Sequence, residues 1–344
     1  MIKFVFLPFQ RIPMPVSIRL IRLFNAVVVA VMLQSGLMAH AFAQLNYPTK
    51  PIKLVVPFPA GGATDILSRG FAEKLAVGLG QPIIVENKPG GGANIGAAFV
   101  AHAAPDGYTL LMGSINSHAI SATYNKDPGY KFATDLVPIS TTGWLGNAIF
   151  VSLATPANSV AELVALAKAN PGKYTCGSSG TGGLIHLTCE MFKIAAGIDV
   201  LHVPYKGTSI LLPDLVSDRV TMALDTIPPY LPLLKDGKLK VLAVTTPKRS
   251  PLLPDVPTMM ELGYAGFESV AIYGLFAPAG TPDAIIKKLN AEVNAVTQDT
   301  ALQAKLAEQG IYLEGSTADA LAQYVNKQIG VWAQVIKAGG IQPE

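Results

Sequence analysis

Charge is scarce in this chain. Lys, Arg, Asp and Glu make up 14% of its 344 residues, against 50% hydrophobic ones. That balance excludes a disordered, solvated chain and leaves ample apolar material for a large core. Acidic residues are absent from residues 1 to 43, which carry Lys3, Arg11, Arg19 and Arg22. Without those four of the 26 basic residues, the rest of the chain sets 22 basic against 23 acidic residues. The formal net charge of +3 therefore belongs to the N-terminus, and the remainder gives no reason to expect nucleic acid as a partner. Cysteine is nearly absent, with Cys176 and Cys189 alone. A zinc site is excluded by their spacing and by the lack of a His cluster beside them. An oxidising compartment permits a bridge between them, and two buried free thiols fit equally well. Neither G-x-G-x-x-G nor G-x-x-x-x-G-K-[ST] occurs, and no carboxylate pair stands out, so no cofactor or metal is expected.

The N-terminus reads as an export signal. Basic residues end at Arg22, and the apolar run Ala26-Val27-Val28-Val29-Ala30-Val31-Met32-Leu33 follows. Ala41-Phe42-Ala43 then places small residues before a cleavage point ahead of Gln44. Met14 is an alternative start. The apolar run is too short for a membrane anchor and is broken by Gln34, Ser35 and Gly36. A secreted, periplasmic protein with residues 1–43 removed is the expectation.

The next stretch organises the rest. Ile52 to Val56 reads as a buried strand, stopped by Pro57 and Pro59. Gly61 and Gly62 let the backbone turn and leave its amides uncovered. Thr64 and Asp65 are candidate caps for a helix with Leu67, Phe71 and Leu75 on its apolar face. A strand, a glycine turn and a helix N-terminus form an anion-binding geometry, suited to a carboxylate as much as to a phosphate.

The pattern recurs. Pro82–Asn87 reads as a strand, followed by a glycine-rich loop with Asn94 as a cap and a helix ending near His102. A third strand, Tyr108 to Met112, leads into the polar loop Gly113 to His118, with Ser114 and Asn116. Residues 136 to 151 read as strand-like segments. A second α/β series follows, with Ser159 capping a helix. A strand from Lys173 to Cys176 then precedes the loop Gly177 to Gly183, and a helix runs from Leu184 to Ala196. Strands are expected at 200–203, 220–224 (ending at Asp225) and 240–245, then a proline-rich connection over 247–269, a strand from Tyr273 and two final helices. Consecutive βα units argue for a parallel sheet flanked by helices, with ligands beyond the carboxyl ends of its strands.

Catalytic readings are weaker. Gly177-Ser178-Ser179-Gly180-Thr181 departs from G-x-S-x-G at its fifth position. A Ser178/His186/Asp225 triad can be written down, but nothing in the sequence orders it. His202, inside an apolar strand, reads as a satisfied core residue. Tyr205 and Lys206 are candidates for the rim of a cleft.

Several motifs resemble one family. Tyr47-Pro48-x-Lys50-Pro51-Ile52, Val56-Pro57-Phe58-x-x-Gly61-Gly62-x-Thr64-Asp65, Val85-Glu86-Asn87-x-Pro89-Gly90 and Ala104-Pro105-Asp106-Gly107-Tyr108 are similar to the Bug receptors of tripartite tricarboxylate transporters. His202-Val203-Pro204-Tyr205-Lys206-Gly207, Pro254-Asp255-Val256-Pro257-Thr258 and Tyr273-Gly274-Leu275-x-Ala277-Pro278 extend the match along the chain in order. The resemblance implies a two-lobed α/β periplasmic-binding-protein fold of type II, each lobe a mainly parallel sheet. Residues 45–145 and 271–344 would form one lobe and 146–270 the other. It implies a monomeric receptor that closes over a small organic acid and serves the membrane subunits of a transporter. Binding residues carried over by position are Phe58, Pro59, Gly61, Gly62, Ala63, Thr64 and Asp65 in the first lobe, and Ser178, Ser179, Gly180, Thr181 and His186 in the second. Asn94, Ser114, Asn116, Tyr205, Lys206 and Asp225 would support them. Ile185, Cys189 and Ile272 depart from the family pattern. The rival readings are a periplasmic serine hydrolase and a ligand sensor for a signalling partner.

Overall fold

The computed structural model describes residues 47–341. The export signal and its cleavage point lie outside them. β1 (Ile52–Val56) is buried as its apolar run requires and leads to α1 (Ala63–Leu79). β2 (Ile83–Asn87), α2 (Asn94–Ala101), β3 (Thr109–Ser114) and α3 (Ile115–Tyr124) follow. The short α4 (Phe132–Asp135) precedes β4 (Leu136–Ser152), one strand of 17 residues where the sequence suggested separate segments. Then come α5 (Val160–Ala169), β5 (Thr175–Ser178), α6 (Leu184–Ala196), β6 (Leu201–Pro204), α7 (Thr208–Val216) and β7 (Met222–Thr226). The chain continues through α8 (Leu231–Lys235), β8 (Leu239–Val244), β9 (Val270–Pro278), α9 (Asp283–Thr297), α10 (Thr300–Ala307), β10 (Ile311–Leu313) and α11 (Ala318–Ala338). Three helices and a short strand thus stand where two helices were expected.

The strands form one continuous sheet in the order β2-β1-β3-β9-β4-β7-β5-β6, with β8 and β10 also on β4. Both flanks are parallel: β1 pairs with β2 and β3, and β5 with β6 and β7. Between them two long strands run antiparallel. β9 lies between β3 and β4. The first part of β4 pairs with β9 and β10, and its last residues, Asn147 to Ser152, pair with β7 and β8. β4 therefore belongs to both halves of the sheet.

Each half is packed on its own core. In the first, Val55, Leu111 and Phe276 from the sheet meet Ala97, Val100 and Ile115 from α2 and α3, and Leu321 and Val325 from α11. The α11 stripe of Leu321, Val325, Trp332 and Ile336 is buried, as a stripe at that spacing should be. In the second half, β4 alternates. Ile149 and Val151 face a cluster with Leu163, Phe192 and Met222, while Ala148 and Phe150 face Leu211, Leu215 and Tyr230. Helices cover both faces, which is why that part of β4 is apolar throughout. Cys176 and Cys189 are bridged, tying β5 to α6 inside this core. Gly96 lets α2 press onto the end of β1: a Cβ there would lie 2.8 Å from the Pro57 ring. Among the described residues no helix is long and apolar enough to cross a membrane.

Candidate functional site

The first loop is held from behind by one carboxylate. Gly61 has φ +80°, open to glycine, and turns the chain into α1. Neither Thr64 nor Asp65 caps that helix; Gly62 is the cap residue and offers no side chain. Asp65 sits in the first turn instead. It accepts the Gly61 N–H (3.0 Å) and Arg69 Nε (2.9 Å) on one oxygen and Asn87 Nδ2 (2.9 Å) on the other. Asn87 also donates to the Phe58 carbonyl at 3.1 Å. Burial would raise the Asp65 pKa, but the bonds from Arg69, Gly61 and Asn87 outweigh it and hold the carboxyl below its usual value. Phe58, Pro59, Gly61, Gly62, Ala63 and Thr64 thus line the turn, and the charge beneath them is already compensated.

The other first-half candidates are turned inward. Asn94 does not cap α2. It is the helix's first residue, buried, accepting from Ser121 Oγ (2.7 Å) and Tyr130 OH (3.4 Å). The expected loop from Gly113 to His118 is the end of β3 and the start of α3, with Ser114 as the cap residue. Asn116 ties α3 to other elements: it accepts the Ile272 N–H and donates to Gln328 of α11.

The second loop, Ser178 to Gly183, leads into α6. Ser178 is fully buried, and its Oγ lies 2.7 Å from both the Gly180 carbonyl and His202 Nε2. A carbonyl cannot donate, so the hydroxyl proton goes to Gly180 and His202 must donate its Nε2–H to the serine. That polarity is the reverse of a nucleophile held by its base. Burial, with smaller contributions from His186 and Lys193, lowers the His202 pKa to about 3, so the ring is neutral. His202 is therefore a partner of the loop and not simply a core residue. It stacks on His186, ring centroids 4.0 Å apart, and His186 Nδ1 accepts the Gly182 N–H at 3.1 Å. No Ser178/His186/Asp225 triad exists.

Asp225, 1% exposed at the end of β7, gathers four donors. Thr226 N–H (2.8 Å) and Ser179 Oγ (3.3 Å) reach one oxygen; Thr208 Oγ1 (2.7 Å) and Tyr230 OH (3.1 Å) reach the other. Burial raises its pKa and the four donors oppose the rise. Tyr205 turns away to Asp214 (2.9 Å), and Lys206 is exposed.

Residues that the sequence reading did not single out join the two halves. Tyr273 on β9 is buried, and burial raises the pKa of its hydroxyl, opposed by the Thr64 side chain and reinforced by the charge of Asp225. Ser179, Thr208 and Tyr230 are connected through Asp225. At the rim, a Cβ on Gly92 would stand 3.6 Å from the Thr181 carbonyl, and one on Gly182 would press on the Tyr124 ring. Tyr124 also meets His186 edge-on at 6.0 Å. The Gly90-Gly91-Gly92 run was the available signal for that approach. Tyr273 stood out only as part of the Tyr273-Gly274-Leu275 motif, because one aromatic in an apolar strand reads as core. Among the described residues no group of His, Cys, Asp and Glu could hold a metal ion.

Comparison with known proteins accords with this geometry. Residues 67–341 match the tripartite tricarboxylate transporter family receptor, TctC. Protein BugT of Bordetella pertussis is 34% identical over 296 residues, 86% of this chain and 91% of BugT. The periplasmic binding protein BugD is 35% identical, with a TM-score of 0.79 over 87% of this chain and all of that one. An R. palustris protein solved with adipate is 36% identical, with a TM-score of 0.81 over 87% of this chain and all of that one. The two-lobed fold of periplasmic binding proteins is thus shared, and so is a role in capturing solutes without chemistry. This chain belongs to the receptor family of the tripartite tricarboxylate transporters.

Proposed function

We propose that the protein binds a small organic acid through its carboxylate, in the cleft between lobes formed by residues 45–145 plus 271–344 and 146–270. The observation that carries this is the glycine-opened helix start at Gly61–Thr64, whose own carboxylate, Asp65, is already spent on Gly61, Asn87 and Arg69. That start offers unpaired N–H groups and the positive end of a helix dipole, about 0.3–1 kcal/mol for an exposed anion and up to about 2 when partly buried. Phe58 to Thr64 would receive the ligand from one side, and Ser179, Gly180, Thr181 and Thr208 from the other. Adipate in an R. palustris relative supports the carboxylate class. The mature protein would start after Ala43, act as a monomer in the periplasm and deliver its ligand to transporter membrane subunits. The direction of the Ser178 hydrogen bonds disfavours a hydrolase.

A thermal-shift screen of refolded, ligand-free protein against organic acids and their amides tests the reading. An acid at one hundred times its dissociation constant should stabilise the fold by about 2.7 kcal/mol. A shift with an acid and none with its full amide supports the carboxylate clamp; no shift with any acid overturns it.

A further inference from the structure

The two carboxylates behind the two loops are not equivalent. Asp65 is ion-paired with Arg69 at 2.9 Å, so the first loop faces the ligand with its helix dipole unopposed. Asp225 has no Lys or Arg in ion-pair range among the described residues. All four of its contacts are donations from neutral groups, the arrangement of an ionised carboxylate. It joins the loop before α6, through Ser179, to the first residue of α7, through Thr208. An internal carboxylate therefore already sits at the first residue of α7 and is bonded to the loop that leads into α6.

The hydroxyls carry this to the cleft. Ser179 and Thr208 are half-buried, and each spends its one proton on Asp225. What they can offer a ligand is a lone pair. A second ligand carboxylate at this end would meet acceptors and an uncompensated negative charge, whereas an ammonium, amide or hydroxyl group would find acceptors ready.

We infer that Asp225, acting through Ser179 and Thr208, makes the second-lobe end of the cleft select a hydrogen-bond donor. The ligand is then a monocarboxylate with an amino, amide or hydroxyl group at its far end, in preference to a symmetric dicarboxylate. This rests on the carboxylate reading of the first loop.

Calorimetric dissociation constants for succinate, glutarate and adipate, their monoamides, and the matching ω-amino acids test it. The monoamide or amino acid should bind at least about tenfold more tightly than the diacid of the same length. Asp225→Asn should shrink that ratio to below about threefold by improving the diacid. Ser179→Ala, which leaves three donors on Asp225, should shrink it by weakening the donor-bearing ligand, and serves if Asp225→Asn does not fold. Diacids that bind as tightly as their monoamides in the unmodified protein overturn this inference and leave the first-loop carboxylate site standing. A preference unchanged in Ser179→Ala also overturns it. Failure of all nine acids to bind overturns the carboxylate reading as well.

Discussion

Asp65 illustrates how a residue can shape a site while facing away from it. Its two oxygens fix Gly61, Asn87 and Arg69. Asp65→Ala should cost about 1–3 kcal/mol of stability, because a backbone N–H and an arginine lose their acceptor. It should also weaken ligand binding about tenfold by loosening the turn; urea denaturation and calorimetry read the two effects separately. The acid behaviour has a definite sign. A carboxyl held below its usual value stabilises the fold above the ordinary range near pH 4, and that stabilisation is lost as pH falls through the lower folded value. Unfolding midpoints of Asp65→Asn and the unmodified protein should therefore converge at low pH and separate above about pH 4. In the sequence Asp65 looked like a helix cap, since Asp in a first turn after two glycines has that pattern. What it accepts instead depends on Arg69 lying one turn on and Asn87 arriving from the next strand, and only the second of these needs the fold. His202 misled for a related reason: alternating apolar neighbours mark a strand, but not what lies beside it.

At the scale of elements, strands and long helices were legible because their hydrophobic period is set by burial on one or both faces. α6 begins and ends where Gly183 and Gly197 flank its apolar pattern. α3 was hidden because its first turn, Ile115-Asn116-Ser117-His118, is polar and yet buried, so period and burial disagree. β10 has three residues and exists because β4 offers it an edge at Gly143, where a Cβ would strike the Tyr312 carbonyl. The Cys176–Cys189 bridge spans a sequence separation of 13 and encloses the loop Ser178 to Gly183. Reduction should cost about 3 kcal/mol by the loop-closure argument, visible as a lower denaturation midpoint in the presence of a reductant. Because Ser178 to His186 lie inside the closed segment, ligand affinity measured on the folded, reduced protein should fall too; an unchanged affinity would mean that Ser178–His202 and Gly182–His186 hold the loop without help.

For the whole molecule, two histidines contribute to the response to acid. His118 is fully buried and His202 half-buried, and burial lowers both to about pKa 3. The unfolded chain takes up protons near pH 6.5 and the folded one does not, so stability falls as pH drops from there towards 3. The slope for a fully buried group is about 1.4 kcal/mol per pH unit. His118→Phe should flatten the pH dependence of the melting temperature between pH 6 and 4; a curve parallel to that of the unmodified protein would assign the loss to other groups. The two-halved architecture itself was legible from repeated strand-loop-helix units. The order of strands in the middle was not, because periodicity says nothing about which strands become neighbours.

The insertion of β9 between β3 and β4 has a consequence for how the chain matures. A polypeptide emerging N-terminus first presents β1, β2 and β3 early, yet the neighbour that β3 requires arrives only with residues 270–278, and the helices packed beneath come later still. Until then β3 and the first part of β4 are open edges, adhesive to any passing strand. The second half, whose strands β5 to β8 are contiguous in the chain, has no such wait. A newly exported molecule would thus carry one finished half and one unfinished, sticky half for as long as its tail is missing. Molecules truncated before Val270 should aggregate through the unfinished half, and any companion that escorts this protein after export would have its work there.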